Sequence, residues 1–237
     1  MENDTKRTGI FTQENILKVL DACYQQSIKG IQHISPPIEQ FANEYLRRYK
    51  NETIAAKAMI AKQVIKCTTS GFITGFGGLI TLPISIPANI GSVLYVQMRM
   101  IACAAHLAGL DTTSDQVQTL VYACLAGVSV NSVVKNFGIK FGQKVANNLI
   151  KKIPGSALTK INQKIGFRLF TKFGQKGLIN LGKMIPAVGA VINGGFDLVE
   201  TKAIGNRAYK MFFESDFVSD TDSSVEDIII DDSNAEE

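Results

Sequence analysis

The sequence predicts an all-α protein with a single compact domain of about seven to nine helices. Apolar residues recur at helical spacing through most of the chain, and the alternation typical of strands is sparse. Of the 237 residues, 46% are hydrophobic, which is enough to fill a substantial core. We expect a flexible N-terminus over residues 1–11, the helical domain over 12–213 and an acidic disordered tail over 214–237.

The first part of the chain carries start or stop signals for three helices. Thr12 is suited to cap a helix that Gly30 ends. Pro36 and Pro37 precede an apolar stripe with charged residues on its other faces, which is typical of a helix packed on a core. Asn51 is suited to cap a third, alanine-rich helix.

A glycine-rich, uncharged run follows, and it contains Pro83 and Pro87. Because proline lacks the amide hydrogen that a helix interior needs, we expect the chain to turn here. A new helix would then run from Pro87 to about Leu107 and end at Gly109. The sequence therefore predicts a central, glycine-rich helical hairpin over residues 71–107.

The second half of the chain predicts four further helices. Ser114 and Asp115 are suited to cap the first of them. The predicted spans are Gln116 to Val134, 135–152, 157–177 and Pro186 to Phe213. A membrane-spanning helix needs about 20 predominantly apolar residues. Prolines or polar side chains interrupt both long uncharged runs, so we interpret them as buried helices and keep a membrane span as the alternative.

The charge of the chain is distributed very unevenly. Between Asp115 and Asp197 there is no acidic residue, yet this stretch carries ten lysines and one arginine. The ten acidic residues from Glu214 onward leave residues 1–213 with 25 basic against 11 acidic side chains, a net charge of +14. A body so charged attracts phosphate-bearing surfaces. The expected anion-binding residues are Lys140, Lys144, Lys151, Lys152, Lys160, Lys164, Arg168, Lys172, Lys176 and Lys183.

Five of these residues follow one another at intervals of four, from Lys160 to Lys176, and so form a stripe along one helix. We place Leu158, Ile161, Ile165, Leu169 and Phe173 on the opposite side, widened by Phe167 and Phe170. A basic amphipathic helix of this composition is typical of a segment that lies in a membrane interface. The alternative is that the apolar side is core and the lysines are a solvated face. No nucleic-acid reading motif is present, so we do not expect that partner.

Catalytic signals are scarce. The chain contains no phosphate-binding loop, no nucleophile elbow and no zinc-binding spacing among its four cysteines and two histidines. We therefore expect no cofactor, no metal and no enzymatic activity. A hydrolase that uses Arg99, His106 or nearby serines remains the alternative. The polar first residues do not resemble a signal peptide, so we expect a cytoplasmic protein.

The acidic tail contains an apolar triplet between carboxylates, formed by Ile228, Ile229 and Ile230. Such a segment is suited to docking on a protein partner or on the basic body of the same chain. We expect the tail to shield the basic surface until a membrane or a partner displaces it. The alternative is a solubilising tail that contacts nothing.

The central block of the sequence resembles the EcsC family. The residues that carry the resemblance include Thr74, Gly75, Gly77, Gly78, Thr81, Pro83, Pro87, Gln97 and Arg99. A closing segment with Gly205 and Arg207 is also similar to the family. The resemblance implies a bacterial, helix-rich, membrane-associated protein without assigned catalytic residues.

These observations predict a cytoplasmic protein that associates peripherally with anionic membranes through the basic surface of residues 135–183. A buried guanidinium must be paired, so we expect Arg99 to pin two helices together, with acidic side chains or Gln97 as candidate partners. The alternative to peripheral association is an effector that opens its glycine-rich regions and inserts them into the bilayer.

Overall fold

Nine helices make up the part of the chain that the computed structural model describes, which comprises residues 13–68, 88–138, 147–173 and 189–214. They are α1 Gln13–Lys29, α2 Ile38–Tyr49, α3 Glu52–Thr68, α4 Ala88–Leu107, α5 Asp115–Ala126, α6 Asn131–Lys135, α7 Asn147–Ile150, α8 Gly155–Phe173 and α9 Gly189–Phe213. These residues contain no strand, only an isolated bridge between Ile31 and Ser35. The predicted all-α class is confirmed.

Helix α4 lies at the centre of the fold. It packs against α1, α2, α3, α5 and α9, and residues 98–105 are buried without interruption. Helix α8 packs against α1, α5 and the short α6, which leaves one of its sides facing solvent. The second arm of the predicted central hairpin is therefore α4. The first arm, with its glycines, lies outside the described residues.

Several helix boundaries follow the capping signals in the sequence. The side chains of Asn51 and Ser114 each accept a hydrogen bond from the backbone N–H three residues further on, at 3.0 and 3.4 Å. Gly30 and Gly109 follow α1 and α4 with φ of +78°, the left-handed conformation in which glycine avoids a Cβ clash. The predictions for these four positions are confirmed.

The expected continuous helix from Gln116 to Val134 is wrong. Helix α5 ends at Ala126, and Gly127 adopts a left-handed conformation with φ of +65° while its N–H donates to the carbonyls at the end of α5. Composition did not reveal this break, because the run on both sides of it is uncharged. Of the amphipathic helix expected over 135–152, the described residues contain only the end of α6 and the four residues of α7.

Arg99, in the middle of α4, joins three helices. Its guanidinium donates from Nη1 to the carbonyl of Ser27 at 2.7 Å and from Nη2 to the carbonyl of Pro36 at 2.5 Å. The same group lies 4.6 Å from the centroid of the Phe41 ring. Ser27 belongs to the last turn of α1, whose carbonyls lack partners within the helix and carry the negative end of its dipole. These partners are backbone oxygens instead of the acidic side chains that we expected.

A second residue of α4 holds the same connection between α1 and α2. The hydroxyl of Tyr95, one turn before Arg99, lies 2.6 Å from Oγ of Ser35. Gly30 is required at the start of this connection, since a Cβ there would overlap the backbone of Ser35 and Pro36. Tyr95 and Arg99 together therefore fix the path by which the chain passes from α1 to α2.

Helix α9 approaches α3 and α4 closely at a glycine. A Cβ on Gly205 would lie 2.6 Å from Cγ2 of Ile60 and 3.5 Å from Sδ of Met100, both of which are buried. One turn earlier, Thr201 accepts a buried hydrogen bond of 2.9 Å from Nε2 of Gln97. Gln97 and Gly205 thus align α9 along the central helix.

Replacing Arg99 tests its role in tying the helices together. We expect Arg99→Met to lower the free energy of unfolding by about 3 kcal/mol, because a buried carbonyl and a partly buried one lose donors that carry a full charge. Arg99→Lys should recover only part of this, since an ammonium group lacks the planar fork. Urea unfolding measures the effect, and the exposed Arg47→Met serves as the control. Equal stability of Arg99→Met and the parent protein would show that Arg99 does not hold the fold.

Gly205 and Gly155 form a matched pair for testing the contact of α9 with α3 and α4. Alanine favours a helix over glycine by about 1 kcal/mol. At Gly205 we nevertheless expect alanine to destabilise the protein by about 1–3 kcal/mol, since it overpacks the contact with Ile60. At Gly155, where a Cβ meets no atom within 4 Å, alanine should be neutral or stabilising. Thermal unfolding of both variants measures these effects. A stabilised Gly205→Ala protein would contradict the close approach of α9 to α3 and α4.

Candidate functional site

Helix α8 separates its apolar and cationic residues onto two sides. Its core side is buried and comprises Ala157, Leu158, Ile161, Ile165 and Leu169. The basic residues Lys160, Lys164 and Arg168 are exposed on the other side. The buried positions recur at helical spacing, so packing against α1 and α5 fixes the rotation of α8 and turns the basic residues outward. The predicted core positions among these residues are confirmed.

Phe167 does not lie on the core side where we placed it. Its side chain is 61% exposed, the largest exposed fraction among the large apolar residues of the described chain. The position follows from spacing, because Phe167 is three residues after Lys164 and seven after Lys160. The exposed side of α8 therefore carries an aromatic ring among its cations, a feature that our sequence reasoning missed.

A shallow groove runs between α6 and the exposed side of α8. Its lining residues are Val133, Asn136, Lys160, Gln163, Lys164 and Phe167. The ammonium nitrogen of Lys160 lies 5.3 Å from the centroid of the Phe137 ring, which follows α6, so a cation–π contact helps to orient this side chain. Asn136, Gln163 and Val133 were not predicted as site residues, because only the fold brings α6 beside α8.

Lys151 and Lys152 are also exposed, but they lie in the turn that follows α7 and do not line the groove. Hydrogen bonds from Thr113 and, more weakly, the charge of Lys151 hold the pKa of Asp111 below its ordinary value. Lys151 therefore interacts electrostatically with an acidic side chain of the same chain. We had expected that no residue of the basic surface would have such a partner.

The cationic side of α8 continues toward α9 at the end of α5. Nη1 of Arg207 donates to the carbonyl of Cys124 at 2.6 Å, and so satisfies one of the last carbonyls of α5. A Cβ on Gly127 would lie 2.9 Å from Nη1 of Arg207 and 3.6 Å from Nη2 of Arg168. Glycine at this position thus leaves room for two guanidinium groups at the negative end of the α5 dipole.

The remaining predicted site residues fall into three groups. Gln97 and Arg99 make the buried contacts of the fold described above. Lys172 belongs to the last turn of α8, without a described side chain. The others lie outside the described residues, namely Lys140, Lys144, Lys176, Lys183, Thr74, Gly75, Gly77, Gly78, Thr81, Pro83, Pro87, Ile228, Ile229 and Ile230. Anion binding and partner docking by the predicted residues stay predictions.

Three of the four buried thiols in the described part of the chain are not activated nucleophiles. Burial raises the pKa of Cys23, Cys103 and Cys124 to about 12, so these thiols stay protonated at neutral pH. Among residues 13–68, 88–138, 147–173 and 189–214, no three His, Cys, Asp or Glu side chains cluster as metal ligands would. In the same ranges, no helix combines the length and apolarity required to cross a bilayer.

Comparison with known proteins identifies the family. The family model described as the EcsC protein family matches residues 11–213, which is most of the chain. No curated protein and no solved structure matches the sequence. The matched range contains the central helix α4 with Gln97 and Arg99, as well as α8 with its cationic side. The protein therefore belongs to the EcsC family.

Proposed function

We propose that this protein binds peripherally to anionic phospholipid membranes through the exposed side of α8, which carries Lys160, Lys164, Phe167 and Arg168. These four residues form the cationic face. Anionic lipids populate the cytoplasmic leaflet of cell membranes, so the protein would act at that leaflet. Binding in this mode requires no bilayer-spanning segment and no catalytic group.

The observation that carries the proposal is the placement of an exposed aromatic ring between exposed cations on one side of a helix. Phe167 is 61% exposed. Lys164 lies one helical turn before it and Lys160 two turns before it, on the same side of α8. Peripheral helices bind membranes with this combination, because the ring enters the boundary between headgroups and acyl chains while the cations contact phosphates.

The spacing of the cations also favours an anionic partner. Like charges four residues apart on a helix repel one another and destabilise it by a few tenths of a kcal/mol for each pair. No acidic residue occurs between Asp115 and Asp197, so α8 carries no carboxylate of its own to relieve this repulsion. A layer of lipid phosphates would relieve it, and each lysine near such a surface contributes about 1 kcal/mol.

Vesicle flotation tests the proposal. We expect the parent protein to float with vesicles that contain phosphatidylserine, and to stay unbound with phosphatidylcholine alone or at high salt. Changing Lys160→Gln and Lys164→Gln together should lower the partition coefficient about 30-fold, since about 2 kcal/mol is lost. The control changes Lys29→Gln and Lys62→Gln, which removes the same charge from exposed positions on α1 and α3.

Two outcomes of this experiment would contradict the proposal. One is the absence of flotation with anionic vesicles at low salt. The other is an equal loss of binding in the two double variants, since net charge instead of the cationic face would then govern the attraction. Release of an encapsulated dye by the bound parent protein would support an effector that opens the bilayer, whereas a peripheral protein leaves the vesicles sealed.

The acidic tail gives a further test. From Glu214 to the end of the chain there are ten acidic and no basic residues, so the tail complements the charge of the body. If the tail competes with phosphates for the cationic face, removing residues 215–237 should tighten binding to anionic vesicles. Added salt should reduce the difference in vesicle affinity between the shortened and the full-length proteins. Flotation of the shortened and full-length proteins measures this. Unchanged or weaker binding of the shortened protein would count against shielding.

A further inference from the structure

The groove between α6 and α8 has the size and the chemistry of a ligand site. Its volume is about 460 Å³ and it is open to solvent along one side. Small-molecule sites in proteins commonly have volumes of about 300–1,000 Å³.

The lining residues supply three kinds of contact side by side. Lys160 and Lys164 provide ammonium groups, and Asn136 and Gln163 provide amides that donate and accept hydrogen bonds. Val133, which is buried, provides an apolar wall. None of the six lining residues is acidic. A ligand that fits this set has an anionic group, further oxygen atoms close to it, and an apolar part.

The ammonium group of Lys160 is positioned independently of any ligand. Lys160 is held against the ring of Phe137, with 5.3 Å between its nitrogen and the ring centroid. Lys164 lies one helical turn further along the same side of α8, at the distance at which neighbouring side chains meet. Two ammonium groups so placed can contact the oxygen atoms of one phosphate.

Phe167 is the aromatic residue among those that line the groove. The other large apolar side chains with high exposure in the described chain are aliphatic, and they lie on α3 and α9: Ile54, Ile65 and Val199. Phe167 thus places a ring at the rim of the groove, one turn beyond Lys164. An aromatic ring beside a phosphate site is suited to the boundary between headgroup and acyl chain.

Another groove in the described part of the chain differs from this one in its charge. It is formed along α2 by Glu39, Gln40, Asn43, Leu46 and Arg47, so a carboxylate opposes its single cation. Its charge therefore does not select an anion. The contrast identifies the groove at α8 as the place where a phosphate would be held.

We infer that the groove between α6 and α8 is a binding site for one anionic phospholipid molecule. The phosphate is held by Lys160 and Lys164, its ester or headgroup oxygens meet the amides of Asn136 and Gln163, and Phe167 contacts the start of an acyl chain. This inference rests on the proposed membrane association and adds a defined position and class of ligand to it.

A tryptophan introduced at position 167 would report on the site directly, because the chain contains no tryptophan of its own. The Phe167→Trp protein is compared with the Ile54→Trp protein, in which the substituted position on α3 is 47% exposed. With phosphatidylserine vesicles, we expect the emission of the Phe167→Trp protein to move to shorter wavelength and to be quenched by lipids brominated near the top of their acyl chains. The emission of the Ile54→Trp protein should stay that of a tryptophan in water.

A second arm separates a local site from general attraction. In the Phe167→Trp protein, we change Lys160→Gln and Lys164→Gln together. The lipid concentration that gives half of the spectral shift should then rise at least about tenfold. The same charge change at Lys151 and Lys152, which are exposed but outside the groove, should raise this lipid concentration about threefold or less. Equal effects of the two double substitutions would contradict a lipid site in the groove.

The remaining outcomes are also decisive. If the Phe167→Trp protein floats with vesicles but its emission does not change, the groove is not the lipid site although the protein binds membranes. Equal quenching of the Ile54→Trp and Phe167→Trp proteins would likewise overturn it. The same spectral shift with inorganic phosphate alone would show a site for free phosphate instead of lipid. If neither tryptophan-containing protein floats, the proposed membrane association itself fails.

Discussion

The burial of helix α4 is the constraint on which the rest of the structure depends. Five helices pack around it, and residues 98–105 are closed off from water. A guanidinium within such a helix must be satisfied, and Arg99 achieves this with carbonyls from the end of α1 and from the residue that precedes the α2 N-cap. Since α1 and α5 are fixed on α4, and α8 packs on both, the core determines which side of α8 meets solvent.

The residues that stabilise the fold and the residues proposed to bind membrane are different sets. Gln97, Arg99 and Gly205 make contacts inside the core, whereas Lys160, Lys164 and Phe167 project from its surface. Substitutions in the first set should therefore alter stability, and those in the second should alter binding. Gln97, Arg99, Gly205 and Arg207 are described residues that carry the family resemblance, and each of them makes contacts that hold helices together.

The sequence predicted those parts of the fold that depend on local signals. Helical periodicity, prolines and capping residues such as Asn51 and Ser114 gave the starts of α2, α3 and α5 and the end of α4 closely. The break at Gly127 was not predicted, because the run on both sides of it is uncharged, and the sequence does not show that Arg207 and Arg168 from distant segments lie beside this glycine. The partners of Arg99 were missed for a related reason: backbone carbonyls at helix ends leave no mark in composition.

The candidate site was predictable in part. The basic side of α8 followed from the interval of four between Lys160, Lys164 and Arg168. The position of Phe167 on that side also follows from spacing, but we assigned the ring to the core because of its apolar character. The groove itself required the fold, since α6 and α8 are separated along the chain by about 20 residues and only packing places Asn136 beside Gln163.

Hydrogen exchange of the full chain, with and without phosphatidylserine vesicles, tests the central claim most directly. Peptides that cover α6 and α8 should exchange more slowly when anionic vesicles are present, and those that cover α2 and the exposed side of α3 should be unaffected. Phosphatidylcholine vesicles should change neither. Protection of α2 and α3 with none at α8 would contradict the account, because the surface that meets the membrane would then not be the cationic face.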